Sequence, residues 1–256
     1  GDGNKNISLQ GKNITVMSSG GYSNCIINCE FSGRAFIINQ GESSSSLIKG
    51  FTIKNATPDI EPIGHGAAIF IEDNSAISID SCLFENTSAH AVQVGDTEIS
   101  GNPTYISNSI FRNCKGAIAS SKKTVFTENC LFENNYGAQI CANAHHSSPE
   151  GYYKNCIFRN NITEHALISL SHGWTLENSL IYNNEAATSV YMATNWNGLS
   201  LVKNSTFWGN EGSHSSSSWH DHRGDVKNSI FWNNNAIDQI SGNTNLIYFN
   251  YSLLQG

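Results

Sequence analysis

The chain has 256 residues, 39% of them hydrophobic and only 14% charged, where ordinary globular proteins carry about 25% charged residues. Its net charge is −7, and its 14 Lys and Arg are scattered without a basic stripe, which argues against nucleic acid as a partner. The sequence lacks the run of about 18 apolar residues that a spanning helix needs, so no membrane insertion is expected in this segment.

Asparagine is the compositional outlier, with 33 copies against 13 Leu and 4 Pro. Asn, Gly and Ser weaken or compete with a helical backbone, so their abundance disfavours helices. Ile, Phe, Tyr and Trp are too plentiful for a disordered chain. A mostly β chain with Asn-assisted corners is the first expectation. Residues 1–10 have neither the charged n-region nor the apolar h-region of a signal peptide, and they read as a mature form or an internal fragment.

In chain order, strand-like stretches begin with Gly11–Val16 (GKNITV), Asn24–Asn28 (NCIIN) and Gly50–Ile53 (GFTI). A pattern of Asn, Ser or Cys, aliphatic, Phe, any residue, Asn then takes over. It reads SCLFEN at Ser81–Asn86, NSIFRN at Asn108–Asn113, NCLFEN at Asn129–Asn134, NCIFRN at Asn155–Asn160 and NSIFWN at Asn228–Asn233. Weaker copies are NSLIYN at Asn178–Asn183, NSTFWG at Asn204–Gly209 and YSLLQG at Tyr251–Gly256. Taking the Phe slot as a register mark gives Ile27, Ile53, Phe84, Phe111, Phe132, Phe158, Ile181, Phe207, Phe231 and Leu254, at intervals of 21 to 31 residues. A small-residue strand follows most marks, as at Gly66–Ile71, Ala91–Val94, Gly116–Ser120, Gly137–Cys141 and His165–Leu170. A third short strand precedes them, as at Ala76–Asp80, Thr124–Glu128 and Leu199–Lys203.

Three short strands per repeat predict an all-β, right-handed parallel β-helix solenoid of about ten coils. Residues 1–256 read as one such domain, part of a longer chain or assembly. Side chains alternate along a strand, so the mark and the residue two before it share a face. That column holds Cys25, Phe51, Cys82, Ser109, Cys130, Cys156, Ser179, Ser205, Ser229 and Ser252. Stacked Phe is expected in the core. Two residues after the mark stand Asn55, Asn86, Asn113, Asn134, Asn160, Asn183 and Asn233, which suit left-handed corners and are expected to bond one another as an Asn ladder. Thirteen Leu are too few for leucine-rich repeats, and the strict hexads of left-handed β-helices are missing.

GAAIF at Gly66–Phe70, and Phe132–Asn135 followed by GAQI, resemble the repeats of chlamydial polymorphic outer-membrane proteins. Gly11–Val16, Asn24–Asn28, Gly50–Ile53 and the run Asn228–Gly256 are more similar still to secreted bacterial right-handed β-helix repeat proteins. The resemblance implies the fold and a secreted or cell-surface location. It leaves function open among adhesins, structural rods and polysaccharide-active enzymes.

The seven cysteines, at 25, 29, 82, 114, 130, 141 and 156, are an odd number, and four of them lie in the inward small-residue column. They are expected to be buried fillers. Cys130 and Cys156 stack, but parallel side chains rarely meet a disulfide dihedral.

A packed core leaves no room for ligands, so contacts must lie on outward side chains and corner loops. Candidate binding residues cluster after the small-residue strands: His146, His172, Trp174, Trp196, Trp219, His220 and His222. Aromatic faces beside polar groups are a common way to hold sugar rings. His220, Asp221 and Arg223 are the catalytic candidates should the edge act on a polysaccharide as a lyase or hydrolase. His220 and His222 lack an identifiable third ligand, so neither metal nor cofactor is expected. The slot before each mark, Ile26, Thr52, Leu83, Ile110, Leu131, Ile157, Leu180, Thr206, Ile230 and Leu253, forms an outward aliphatic stripe. That stripe and the open coil ends are expected surfaces for another protein chain. The favoured reading is a non-enzymatic extracellular rod for adhesion, surface structure or glycan contact.

Overall fold

Most strand-forming segments are three or four residues long, with apolar residues placed so that alternate side chains share a face. A computed structural model describes residues 4–58, 66–72, 74–95, 102–144, 151–171, 173–194, 200–214, 224–235 and 247–254. Its strands form three walls in which every pairing is parallel and joins one coil to the next. The first wall carries Phe36–Ile38, Ile69–Ile71, Val92–Val94, Ile118–Ser121, Cys141–Ala144, Ala166–Ser171 and Glu185–Thr194. Among the described residues, the second and third walls contain ten strands each, and Thr104–Ser107 with Ile110–Arg112 is typical of the pair contributed by one coil.

The third wall keeps the register of the repeat. Phe84, Phe111, Phe132, Phe158, Ile181, Phe207 and Phe231 are Cα partners in sequence from coil to coil. Their rings stack at 4.9 Å (Phe84 and Phe111), 5.0 Å (Phe111 and Phe132), 4.4 Å (Phe132 and Phe158) and 4.5 Å (Phe207 and Phe231). Ile181 interrupts the stack, and Tyr191 from the first wall packs on Phe207 with ring centroids 5.5 Å apart. Offset aromatic pairs add roughly 0.5–1.5 kcal/mol each beyond their burial.

From Thr52–Lys54 to Ile230–Trp232, each third-wall strand is bracketed by left-handed corners. The residue three before the mark has positive φ at Gly50, Ser81, Asn108, Asn129, Asn155, Asn178, Asn204, Asn228 and Tyr251. The residue two after it does so at Asn55, Asn86, Asn113, Asn134, Asn160, Asn183 and Asn233, with φ between 52° and 56°. Asn tolerates this conformation better than any other non-Gly residue because its short amide bonds locally. The corner role expected of these asparagines is therefore observed.

The expected ladder lies elsewhere. Its members are Asn135, Asn161, Asn184, Asn210 and Asn234, three residues after the mark and buried. From Asn161 onward, each side-chain oxygen accepts both the backbone N–H and the Nδ2–H of the Asn one coil earlier: Asn135 on Asn161 at 2.9 and 3.0 Å, and Asn184 on Asn210 at 3.0 and 2.9 Å. The exposed asparagines of the preceding column turn the corner; the next residue turns back into the core. Ser205 and Ser229 do similar work in the small column: Ser205 N–H donates to Ser229 Oγ at 3.2 Å, and Ser205 Oγ donates to the Lys203 carbonyl at 2.9 Å.

All seven cysteines are unbridged thiols, with no disulfide among them; six are buried and Cys25 is half-buried. Burial pushes the thiols of Cys82 and Cys114 up to about 11 and that of Cys156 up to about 12. The filler role expected of the buried ones fits this.

Candidate functional site

With the mark facing inward, the residues on either side of it face outward on the third wall. The column before the mark is the aliphatic stripe. Ile26, Ile157, Leu180, Ile230 and Leu253 are exposed, Leu83, Ile110 and Leu131 are half-buried, and Thr52 is buried. The column after the mark runs Glu85, Arg112, Glu133, Arg159, Tyr182, Trp208 and Trp232 through successive coils.

This second column changes chemistry along the rod. In its lower part, Arg112 Nε donates to Glu133 Oε1 at 2.7 Å and Arg159 Nε donates to Glu133 Oε2 at 2.9 Å. Desolvation pushes the Glu133 carboxyl up, but the hydrogen bonds and charges of Arg159 and Arg112 outweigh it and hold the group below the usual carboxylate range. Arg159 Nη1 also donates to Tyr182 Oη at 3.2 Å. Above Tyr182 the column is aromatic. Tyr182 and Trp208 lie with ring centroids 6.3 Å apart, Trp208 and Trp232 are register partners, and the two indoles are 44% and 46% exposed. Each Trp thus keeps nearly half its surface in water, which is unusual for the largest apolar side chain.

Beyond the Trp column the chain turns the corner into the first wall, and a cleft of about 350 Å³ opens there. Asn160, Asn161, Ile162, Asn183, Asn184, Glu185, Gly209 and Glu211 line it. Gly209 sits at the left-handed corner, φ 62°, where the coils on either side carry Asn183 and Asn233. A Cβ at Gly209 would come within 2.9 Å of Asn183 Oδ1, so glycine leaves room for that amide. Glu185 and Glu211 are register partners in adjacent coils, and both are exposed.

Of the seven binding residues expected from sequence, only Trp174 falls among the described residues, and its expected rim position is corrected. It is fully buried, its ring 5.4 Å from that of Tyr153. The cause lies in its column. Gly151 is its neighbour one coil below and Ser200 one coil above, and a Cβ at Gly151 would lie 2.6 Å from Trp174 Cζ2. The indole fills the space these small residues leave. His146, His172, Trp196, Trp219, His220 and His222 lie outside the described residues, as do the catalytic candidates Asp221 and Arg223. Trp208, Trp232 and the cleft were missed by sequence reasoning. The signal was the outward column itself, whose alternating charges give way to three aromatics in a row.

Among the described residues, no group of three or more His, Cys, Asp and Glu is placed to hold a metal ion, and no helix is long and apolar enough to cross a membrane. The family described as right handed beta helix region matches residues 3–129. The chain is a right-handed parallel β-helix. No curated protein matches it. Among solved structures, this β-helix is similar to a complex of XylC with xylose, at 13% identity and a TM-score of 0.35, covering 79% of this chain and 38% of that one. It is also similar to the periplasmic alginate epimerase AlgG, at 10% identity and a TM-score of 0.32, covering 95% of this chain and 77% of that one. A double mutant of AlgG matches at 11% identity and a TM-score of 0.30, covering 94% and 77%. The β-helix thus spans well under half the length of the XylC chain.

Proposed function

We propose that this β-helix is an extracellular or cell-surface rod that contacts glycans, and that the contact is made by the ledge of Tyr182, Trp208 and Trp232. The observation that carries the reading is the pair of half-exposed indoles on neighbouring strands of one wall. Adjacent parallel strands lie about 4.8 Å apart. That is close to the length of one sugar unit, so consecutive units of an extended chain can face consecutive rings. The aliphatic stripe, with Leu180 and Ile230 beside the ledge, offers further apolar surface to the C–H faces of the sugars. Arg159 and the corner amides of Asn160 and Asn183 supply polar groups at its border.

The buried thiols fit an oxidising location, because the thiolate is the reactive form and burial suppresses it. Adhesion or surface structure follows from a rigid rod with a glycan-facing wall, and the reading requires no bond-breaking step.

The test is titration with a panel of neutral and charged oligosaccharides, followed by tryptophan emission. Binding is expected to shift the emission, and Trp208→Ala with Trp232→Ala is expected to weaken it about tenfold or more, as for aromatic anchors at other interfaces. Unchanged affinity in a folded double variant would overturn the assignment.

A further inference from the structure

From Asn55 to Asn233 the residue two after the mark is Asn in every coil but one, where Gly209 stands. The backbone does not require glycine there. Its φ of 62° is close to the 52–56° of the asparagines in the same column. The corner also keeps its hydrogen bonds: Gly209 N–H donates to the Trp232 carbonyl at 3.2 Å, as Asn183 N–H donates to the Trp208 carbonyl at 3.1 Å. The close approach that a Cβ would make is to Asn183 Oδ1, the end of a rotatable side chain, and Asn160 and Asn183 already stand in this column in adjacent coils. What Gly209 changes is therefore the surface. The missing side chain leaves a gap directly after Trp208, and the cleft of about 350 Å³ lies at that gap.

The cleft flanks the ledge. Asn160, Asn183 and Gly209 follow Arg159, Tyr182 and Trp208 in the chain, so the cleft runs beside the column over three coils rather than extending its line. A group entering it branches sideways from a chain that lies along the rings. The lining sets the chemistry of that group. The exposed amides of Asn160 and Asn183 offer donors and acceptors together, and the carboxylates of Glu185 and Glu211 accept. A hydroxyl both donates and accepts, so it suits both kinds of partner, whereas an acidic group would meet two like charges.

We propose that the gap at Gly209 is a side subsite for a neutral branch: the glycans this rod holds best carry their main chain along Tyr182, Trp208 and Trp232, and a hydroxyl-rich side unit turns into the cleft. The inference rests on the glycan-contact reading above and deepens it. The volume suits a single sugar unit, since it lies at the small end of ligand pockets, which run from about 300 to 1,000 Å³.

The experiment measures affinity for linear xylo-oligosaccharides, for counterparts of equal backbone length with an arabinosyl or a glucuronosyl branch, and for manno-oligosaccharides with and without a galactosyl branch. The wild type, Gly209→Asn, Gly209→Ser and Trp208→Ala with Trp232→Ala are compared, with folding checked by circular dichroism and thermal melting. Gly209→Asn gives the corner the residue its own column uses, at a φ that Asn tolerates. In the wild type a neutral branch is expected to tighten binding roughly fivefold to tenfold over the linear oligomer of the same backbone, the effect of one or two hydrogen bonds. In Gly209→Asn that advantage should vanish, while the linear oligomer binds within about twofold of wild type. Gly209→Ser, which fills less of the gap, should reduce the advantage and carries the test if the Asn variant does not fold. Equal binding of linear and branched oligomers by the wild type, a branch advantage undiminished in a folded Gly209 variant, or an equal advantage for the glucuronosyl branch overturns the side subsite and leaves the ledge standing. Loss of linear binding in folded Gly209→Asn also overturns it, by making Gly209 part of the ledge surface. Absence of binding by every oligomer overturns both readings. Trp208→Ala with Trp232→Ala should weaken linear and branched oligomers alike, which separates the ledge from the cleft.

Discussion

Asn161 and Asn184, 23 residues apart in the chain, lie one above the other in the rod, and Asn161 Nδ2 donates to Asn184 Oδ1 at 2.8 Å. The same oxygen accepts the Asn161 backbone N–H at 3.0 Å, while Asn184 Nδ2 donates to the Phe158 carbonyl at 3.0 Å. One amide therefore satisfies polar groups of two other residues inside the core. Asn184→Ala strands them, and a buried group left unsatisfied costs about 1–3 kcal/mol. The expected result is a loss of about 3 kcal/mol or more in denaturant unfolding. Asn183→Ala, one residue earlier at an exposed left-handed corner, is expected to cost only about 1 kcal/mol. Equal losses at the two sites would contradict the division between corner and ladder.

Phe132 lies between Phe111 and Phe158 in the ring stack and meets Tyr153 edge-on at 6.4 Å. Phe132→Ala removes a fully buried ring and is expected to cost about 3–5 kcal/mol. Phe132→Leu keeps much of the volume, loses the stacking and should cost less than half of that. Gly151→Ala is a separate check. Its methyl would press on Trp174, so it should destabilise the protein although Ala is usually the better-tolerated residue.

Acid should weaken the rod through a small set of carboxylates. Desolvation pushes Asp80 up, but hydrogen bonds from Lys49, Asn108, Ser107 and Ser81 outweigh it and hold the group at about 2, below its ordinary 3.8. Glu42 and Glu133 are also held below their ordinary value. A carboxyl depressed by folding stabilises the fold above its unfolded value, and that contribution is lost as pH falls through the folded one. Thermal stability is thus expected to be flat near neutrality and to decline between about pH 4 and pH 2. Asp80→Asn should be less stable at neutral pH and show a shallower acid decline. A decline of wild-type steepness in that variant would contradict the role of Asp80.

Thiol titration follows from burial. The six buried thiols are expected to stay unmodified by an aromatic disulfide reagent in the native state, leaving half-buried Cys25 as the reactive position. Denaturant should expose all seven. Fast native modification of Cys130 or Cys156 would contradict their burial.

The core was legible from sequence because the Phe mark, the small residue two before it and the Asn two after it recur with fixed local spacing. What local spacing could not supply was the effect of the corner on side-chain direction. Asn134 and Asn135, Asn160 and Asn161, and Asn183 and Asn184 are adjacent identical residues, and only the left-handed turn at the first of each pair decides that the second points inward. The sequence places Trp174 on the rim because it stands in the corner after a small-residue strand; its burial depends on Gly151 and Ser200, its neighbours in other coils. Trp208 and Trp232 stand in the variable slot after the mark. Their meaning shows only when that slot is read down the rod rather than along the chain.

The most direct measurement is oligosaccharide affinity, by calorimetry, for the wild type, for Trp208→Ala with Trp232→Ala, and for Trp196→Ala with Trp219→Ala. The account predicts that the first double variant loses binding while keeping its thermal stability, and that the second retains it. Binding retained by the first and lost by the second would move the site from the third wall to the segments carrying Trp196 and Trp219 and contradict the account.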